Sequence, residues 1–284
     1  MLLAIALSVA GAMDAPRAHA QEIQITGPLA GQPAVRRMRQ YRVNRVQIIV
    51  PTVGYTLQDE FARHLMVGLE ANVHFTDFLG IGVWGALANF GNAFHINTDL
   101  TSQVITNGQT TARNRLSLPS PAGFADQVAR LQGVASIHLL FAPLRGKLSL
   151  FQGVFVDTDF YVLAGFALGF VQERADITTP GVCAVADDAC RQSQSARKDR
   201  IAPAPIFGVG LNLYFNEWIG MALQWRAFPF NMNPAGTDEA GGSGRSSVSI
   251  PDGLINDADQ RFYFHHMINV GLIINLPPEA TISD

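Results

Sequence analysis

The chain has 284 residues, of which 48% are hydrophobic and 15% charged, and its formal net charge is −3. One large all-β domain can have this length, and a balance this close to neutral argues against nucleic acid as a partner. After the first thirteen residues no apolar run reaches the length of a membrane-spanning helix, so the sequence does not favour a helical membrane protein.

The N-terminus is predicted to be an export signal. Residues 1–20 resemble a secretory signal peptide, with an apolar stretch from Leu2 to Met13 and an Ala-x-Ala cleavage site before Gln21. A basic n-region is missing, so the true start of the signal is expected upstream of Met1. The alternative is a buried N-terminal helix.

Residues 21–43 are predicted to form a periplasmic N-terminal segment. A basic run begins in this segment and consists of Arg36, Arg37, Arg39, Arg42 and Arg45. Charge runs are most often solvated faces. The alternatives are binding to inner-leaflet phospholipid headgroups, docking on a periplasmic partner protein, and folding into a barrel mouth against Asp157 and Asp159.

Residues 44–277 contain segments with the two-residue period of β-strands. In the clearest one, Val154 to Val171, even positions are mostly apolar, whereas odd positions include Asp157, Asp159 and Tyr161. Two unlike faces are typical of a strand between an apolar and a polar phase, and the length suits a tilted bilayer crossing. The eight predicted strands are Arg45–Tyr55, His64–Thr76, Phe78–Leu87, Val134–Ala142, Val154–Val171, Pro205–Phe215, Trp218–Ala227 and Phe262–Leu276.

The connections alternate in length. Tight turns at 76–77 and 216–217 and a somewhat longer one at 143–153 alternate with long polar loops at 88–133, 172–204 and 228–261 and with a shorter one near 56–63. Outer-membrane barrels have short periplasmic turns and longer extracellular loops. The sequence therefore predicts an all-β fold: an eight-stranded antiparallel transmembrane β-barrel in the outer membrane, followed by a C-terminal tail at 278–284.

The two cysteines, Cys183 and Cys190, lie close together in one predicted extracellular loop. In an exported protein such a pair is typical of a disulfide that closes a small loop. Two thiols without nearby histidines cannot complete a tetrahedral zinc site. Free thiols are the remaining alternative, and no metal or other cofactor is expected.

The last predicted strand resembles the C-terminal signal that the barrel-assembly machinery recognises. Asn269 is followed two residues later by Gly271 and then by spaced hydrophobic residues up to Leu276. Leu276 replaces the usual aromatic residue, and eight further residues follow it. We expect this machinery to be a partner during biogenesis.

Three motifs make the chain similar to a family of outer-membrane β-barrel proteins of myxobacteria and related bacteria. They are Gly27-Pro28-Leu29-Ala30-Gly31 with Pro33-Ala34-Val35-Arg36-Arg37, then Pro51-Thr52-Val53-Gly54, and Phe155-Val156-Asp157 with Asp159 and Tyr161. The likeness extends from about Gly27 to Pro277. It implies the fold and the outer-membrane location of a Gram-negative envelope protein, and it implies no catalytic residues.

An eight-stranded barrel is narrow and is normally filled by side chains. Glu70, Asp157, Asp159 and Arg226 are therefore predicted to form an internal charge network. The leading hypothesis is a non-enzymatic scaffold that displays loops and contacts outer-membrane lipid, lipopolysaccharide and an envelope protein. The alternatives are a narrow pore or solute-binding barrel, and a lipid-modifying enzyme that uses Ser136 and His138 with the two aspartates.

Overall fold

The computed structural model of this protein contains eight long strands, whose side chains alternate between an outward and an inward face. The model describes residues 43, 45–88, 94–150, 154–174, 177–178, 197–242 and 251–278. The long strands are β1 (Val46–Leu57), β2 (Ala62–His74), β3 (Leu79–Leu87), β4 (Arg130–Leu150), β5 (Val154–Glu173), β6 (Lys198–Tyr214), β7 (Ile219–Ala227) and β8 (His266–Leu276). Each pairs antiparallel with the next, and β8 pairs with β1. The predicted closed eight-stranded antiparallel barrel is confirmed.

The two faces of the barrel wall differ in chemistry. Leu69, Ile137 and Phe166 point outward and are each about half exposed, whereas Glu70 and His138 point inward and are buried. An apolar outer wall around a polar interior is the pattern of a transmembrane β-barrel. Exposed aromatic residues gather beside the short turns: Phe75, Phe78, Phe215 and Trp218. Their position fits an interfacial aromatic girdle.

Among the described residues, none of the helices has the length and apolar character that crossing a membrane requires.

Strand β4 is longer than predicted. The segment 143–153 was expected to be a turn, but β4 continues to Leu150. The register between β4 and β5 shifts between Phe141 and Leu144. This bulge accommodates Pro143, which has no N–H to donate to a ladder, so the proline does not end the strand.

Strand β6 also begins earlier than predicted, at Lys198 rather than at Pro205. Pro203 and Pro205 pair with β5, but the ladder between β6 and β7 covers only Phe207 to Tyr214 on the β6 side. The prolines therefore lie where β6 is an edge strand, and a missing N–H is tolerated there.

The last predicted strand is divided in two. Arg261–Tyr263 pairs with the short strand Phe230–Met232, and the barrel strand begins only at His266. His265, between the two strands, turns inward and is 3% exposed. The first predicted strand is present, with a register shift between Ile49 and Thr52 that contains Pro51.

We call the end of the barrel with the tight turns the short-turn end and the opposite end the long-loop end. The described loop residues at the long-loop end, 94–129, 228–242 and 251–265, form what we call the cap. It contains the helices α1 (Asp99–Asn107) and α2 (Phe124–Gln127), a 3₁₀ helix (Asp257–Asp259), and the short strands His95–Asn97, Phe230–Met232, Leu254–Ile255 and Arg261–Tyr263. Leu254–Ile255 pairs with a two-residue strand, Ile177–Thr178, and His95–Asn97 pairs with β2.

The cap has a small apolar core of its own. Phe124, Val128 and Ala235 are buried together with Ala62 of β2, and Phe61 packs against them. Buried polar groups join its segments: the Gln127 amide donates to the carbonyl oxygens of Ser117 and Ala235. The described part of the long-loop end is therefore a packed structure.

Candidate functional site

A buried ion pair lies in the lumen of the barrel. The Arg226 guanidinium donates to the Glu70 carboxylate at 2.5 Å, and both side chains are fully buried. Gln224 connects the two, because its carbonyl oxygen accepts from Arg226 and its amide donates to Glu70 at 2.8 Å. Burying two charges is tolerated only when they are paired and their remaining hydrogen-bonding groups are satisfied. The two charges are paired and Nη2 and Nε of Arg226 are satisfied, whereas Nη1 of Arg226 has no hydrogen-bond partner among the described residues.

Neutral polar side chains extend this pair across the lumen. Asn72 donates to Glu70 at 3.0 Å and to Gln47 at 3.2 Å, and Gln47 donates to the Tyr214 hydroxyl at 2.8 Å. The Gln224 amide also donates to the Tyr161 hydroxyl at 2.6 Å. We call these residues the polar layer: Gln47, Glu70, Asn72, Tyr161, Tyr214, Gln224 and Arg226. Its members come from five of the eight strands, so it crosses the interior of the barrel.

Two further side chains pack against the polar layer. The Arg226 guanidinium lies 4.5 Å from the centre of the Trp84 ring, within the range of a cation–π interaction. Nε2 of His138 lies 3.5 Å from the Glu70 carboxylate. Trp84 and His138 are each 2% exposed. They fill the lumen on the side where β3 and β4 form the wall.

The four charges predicted to form one internal network lie in two places. Glu70 and Arg226 pair with each other, whereas Asp159 lies 3.6 Å from Arg145, which in turn lies 3.7 Å from Asp77. Asp157 is two residues nearer to the short-turn end, opposite Lys147 in the β4–β5 register. Arg145 and Asp77 were missed because both lay in segments predicted to be turns.

The residues considered for a lipid-modifying enzyme are not assembled into one site. Ser136 and His138 face Ala167 and Gly165 across the β4–β5 ladder, while Asp159 is six residues from Gly165 along β5. Six residues of strand span roughly 20 Å. Among the described side chains, the Ser136 hydroxyl has no hydrogen-bond partner. The contact between nucleophile and base that this chemistry requires is not formed.

A second buried cluster closes the long-loop end of the lumen. Asp59, in the loop between β1 and β2, lies 3.1 Å from Nδ1 of His265 and 3.5 Å from Nδ1 of His64. The His265 ring stacks on Phe230 with ring centres 4.2 Å apart. Asp59 was missed because a single carboxylate in a short loop has no periodicity to identify it.

One hydrogen bond to the His64 ring fixes its tautomer. Nε2 of His64 accepts from the backbone N–H of Leu131 at 3.1 Å, so this nitrogen carries no proton. The ring proton is therefore on Nδ1, which faces Asp59. Burial alone would raise the pKa of the Asp59 carboxyl, but the hydrogen bond with His265 and the interaction with His64 outweigh burial and hold that pKa well below its usual range.

This arrangement predicts a pH-dependent contribution of Asp59 to stability. Asp59→Asn should lower the free energy of unfolding by about 1–2 kcal/mol at pH 7, because it weakens the buried hydrogen bond between His265 and a charged group and removes the charge that Nδ1 of His64 faces at 3.5 Å. A carboxyl whose pKa is lowered by folding stabilises the protein above its ordinary pKa of 3.8 and loses this contribution as the pH falls below that value. Urea unfolding of both proteins at pH 7 and pH 2.5 should show a smaller difference at pH 2.5. An equal difference at both values would contradict a role for the charge.

The predicted basic run can be placed at one residue only. Arg36, Arg37, Arg39 and Arg42 lie outside the described residues. Arg45 is buried at the short-turn end and donates to the carbonyl oxygens of Glu217, at 2.8 Å, and Pro277, at 2.9 Å. It thus joins the start of β1 to the turn after β6 and to the end of β8.

Three other predictions also fall outside the described residues: the signal peptide, the C-terminal tail beyond residue 278, and the disulfide between Cys183 and Cys190. Within the described residues, no group of three or more His, Cys, Asp or Glu side chains has an arrangement that could hold a metal ion.

No protein-family model and no curated protein matches the chain. Its structural neighbours are outer-membrane β-barrel proteins. The N-terminal β-barrel domain of Pseudomonas aeruginosa OprF is 9% identical, with 82% of this chain and 98% of that chain covered and a TM-score of 0.39. OprG of the same organism is 9% identical, with 84% and 98% covered and a TM-score of 0.38. Ail of Yersinia pestis is 8% identical, with 82% and 97% covered and a TM-score of 0.34. The resemblance to the myxobacterial family stays a prediction.

Proposed function

We propose that this protein is an integral outer-membrane barrel that acts as a closed scaffold and presents the cap outside the cell. The observation that carries this proposal is the polar layer, in which the fully buried Glu70–Arg226 pair occupies the lumen of a narrow barrel. A filled lumen leaves the outer wall and the cap as the surfaces available for interaction.

The lengths of the connections at the two ends support an orientation in which the cap faces the outside of the cell. Tight turns face the periplasm and long loops face the exterior in barrels of this kind. β1 begins and β8 ends at the short-turn end, where Val46 pairs with Leu276. The cap then lies outside the cell, where loops on a rigid barrel commonly carry recognition. Outer-membrane lipid, lipopolysaccharide and another envelope protein are the partners that we propose.

Two cavities among the described residues, one beside the polar layer and one at the long-loop end, are small. One cavity of about 10 Å³ is lined by Gln47, Asp159, Tyr161 and Asn212 on the short-turn side. Another of about 10 Å³ lies among Asp59, His64 and His265 on the long-loop side. Each has room for about one water molecule. These volumes favour the scaffold over a narrow pore.

Planar-bilayer conductance of the refolded mature protein, run beside its gel mobility with and without boiling, tests the proposal. We expect a mobility shift on boiling and no steady conductance. Discrete conductance steps that change in Asp159→Asn would establish the pore instead. The absence of any mobility shift would contradict the folded barrel.

A further inference from the structure

The lipid-facing wall has a groove between β2 and β5. Gly85 and Ala135, which face each other across the β3–β4 ladder, form its floor. Its walls are apolar: Leu69, Val83, Ile137, Phe166 and Leu168. The groove has a volume of about 380 Å³. Two small residues among bulky apolar ones thus produce a depression in a surface that faces hydrocarbon.

A row of polar side chains follows the same wall toward the long-loop end. Arg130, Gln172 and Asp199 are register partners on adjacent strands, and Gln172 donates to Asp199 at 3.0 Å. Gln132 donates to Gln172 at 3.4 Å. Arg197, just before β6, reaches across to donate to the carbonyl oxygen of Val128 at 3.0 Å.

Two arginines lie near each other in this row, because Arg197 binds the carbonyl oxygen of Val128, two residues before Arg130. Burial, and after it the charge of Arg130, lowers the pKa of Arg197, and the charge of Asp126 offsets part of this effect. The hydrogen bonds of both arginines within the described residues go to backbone carbonyls, from Arg130 to Ala125 and from Arg197 to Val128. A phosphate group near both would relieve their repulsion and accept hydrogen bonds from both.

The depth of the groove matches the depth of an acyl chain below such a phosphate. Leu168 and Phe166 are four and six residues from Gln172 along β5. At about 3.3 Å per residue and about 45° of tilt, they lie roughly 9–14 Å below it. One leaflet contributes about half of a hydrocarbon core about 30 Å thick. The groove therefore lies within the leaflet that is nearer to the long-loop end.

We propose that this wall holds one phosphorylated lipid of the outer leaflet, with an acyl chain in the Gly85–Ala135 groove and its phosphate at Arg130 and Arg197. The inference rests on the proposed orientation of the barrel in the outer membrane. The occupant is an anionic lipid because the depression is apolar along its length and the polar row above it brings two cations together.

Native mass spectrometry of the full chain released from detergent tests this inference, with dimyristoylphosphatidic acid and dimyristoylphosphatidylcholine as probes. We expect one phosphatidic acid per chain, retained about tenfold more tightly than phosphatidylcholine. Arg130→Gln combined with Arg197→Gln should remove this preference, and Arg113→Gln, at an exposed loop arginine, should not.

The second part of the same experiment uses variants that fill the groove. Gly85→Leu combined with Ala135→Leu should weaken retention of both lipids, whereas Ala164→Leu, on the same outer wall but outside the groove, should leave it unchanged. A Cβ at position 85 would meet only the carbonyl oxygen of Val134, at 3.9 Å, so the barrel should accept this change.

Equal retention in the groove-filled variant, or displacement of the lipid by inorganic phosphate alone, would overturn the lipid site. A wild-type barrel that shows the heat-dependent mobility shift but no preference between the two lipids would also overturn it and leave the scaffold proposal intact. A chain without the mobility shift would contradict the scaffold proposal itself.

Discussion

Arg226→Met should lower the free energy of unfolding by about 3–5 kcal/mol, because it leaves the Glu70 carboxylate buried in the lumen without its cation. Both side chains are fully buried, and Gln224 and Asn72 are neutral partners that cannot replace the lost charge. Urea unfolding in phospholipid vesicles, followed by gel mobility without boiling, measures the change. This readout avoids Trp84, whose fluorescence would respond directly to the loss of the guanidinium above its ring.

The matched control removes both charges. Replacing a buried ion pair by apolar side chains of similar volume is often neutral or stabilising, so Glu70→Leu combined with Arg226→Met should recover most of the stability lost in Arg226→Met. A double variant as unstable as the single one would show that the polar layer depends on hydrogen bonds more than on charge. A single variant as stable as the wild type would contradict the importance of the pair.

The sequence predicts the eight strands well because a barrel wall between lipid and a polar interior imposes a two-residue period along each strand. Two of the predicted strand ends that differ from the observed ones lie beside prolines. Pro143 lies at a bulge, and Pro203 and Pro205 lie where β6 has one ladder partner, so the missing N–H costs little there. Neither condition is visible before the strands are paired.

The contacts inside the lumen could be predicted only in part, because they too depend on how the strands pair. Alternation identifies Glu70 and Arg226 as inward-facing residues, but they are on β2 and β7 and meet across the lumen. Which inward residues lie at the same height depends on the stagger of all eight strands, and local sequence does not determine that stagger. The pair of Asp59 and His265, 206 residues apart in the chain, depends on the same closure and on a loop without periodicity.

Gly210, in the barrel wall, has a structural role that the sequence alone does not reveal. Tyr161, Gly210 and Gln224 are successive register partners on β5, β6 and β7. The Tyr161 ring crosses over Gly210, so that its hydroxyl accepts from the Gln224 amide at 2.6 Å. A Cβ at position 210 would overlap the ring. Glycine is therefore required here by close approach of an aromatic side chain.

Gly210→Ala should accordingly lower the free energy of unfolding by about 2–4 kcal/mol, since it combines overpacking with the loss of a buried hydrogen bond. Gly146→Ala is the control, because a Cβ at that strand position has no atom within 4 Å, and it should change stability little. The cost of Gly210→Ala should also shrink in a Tyr161→Leu background, where no ring crosses the glycine. If the cost were the same in both backgrounds, the strain would belong to the β6 backbone, and the ring would not be the reason for the glycine.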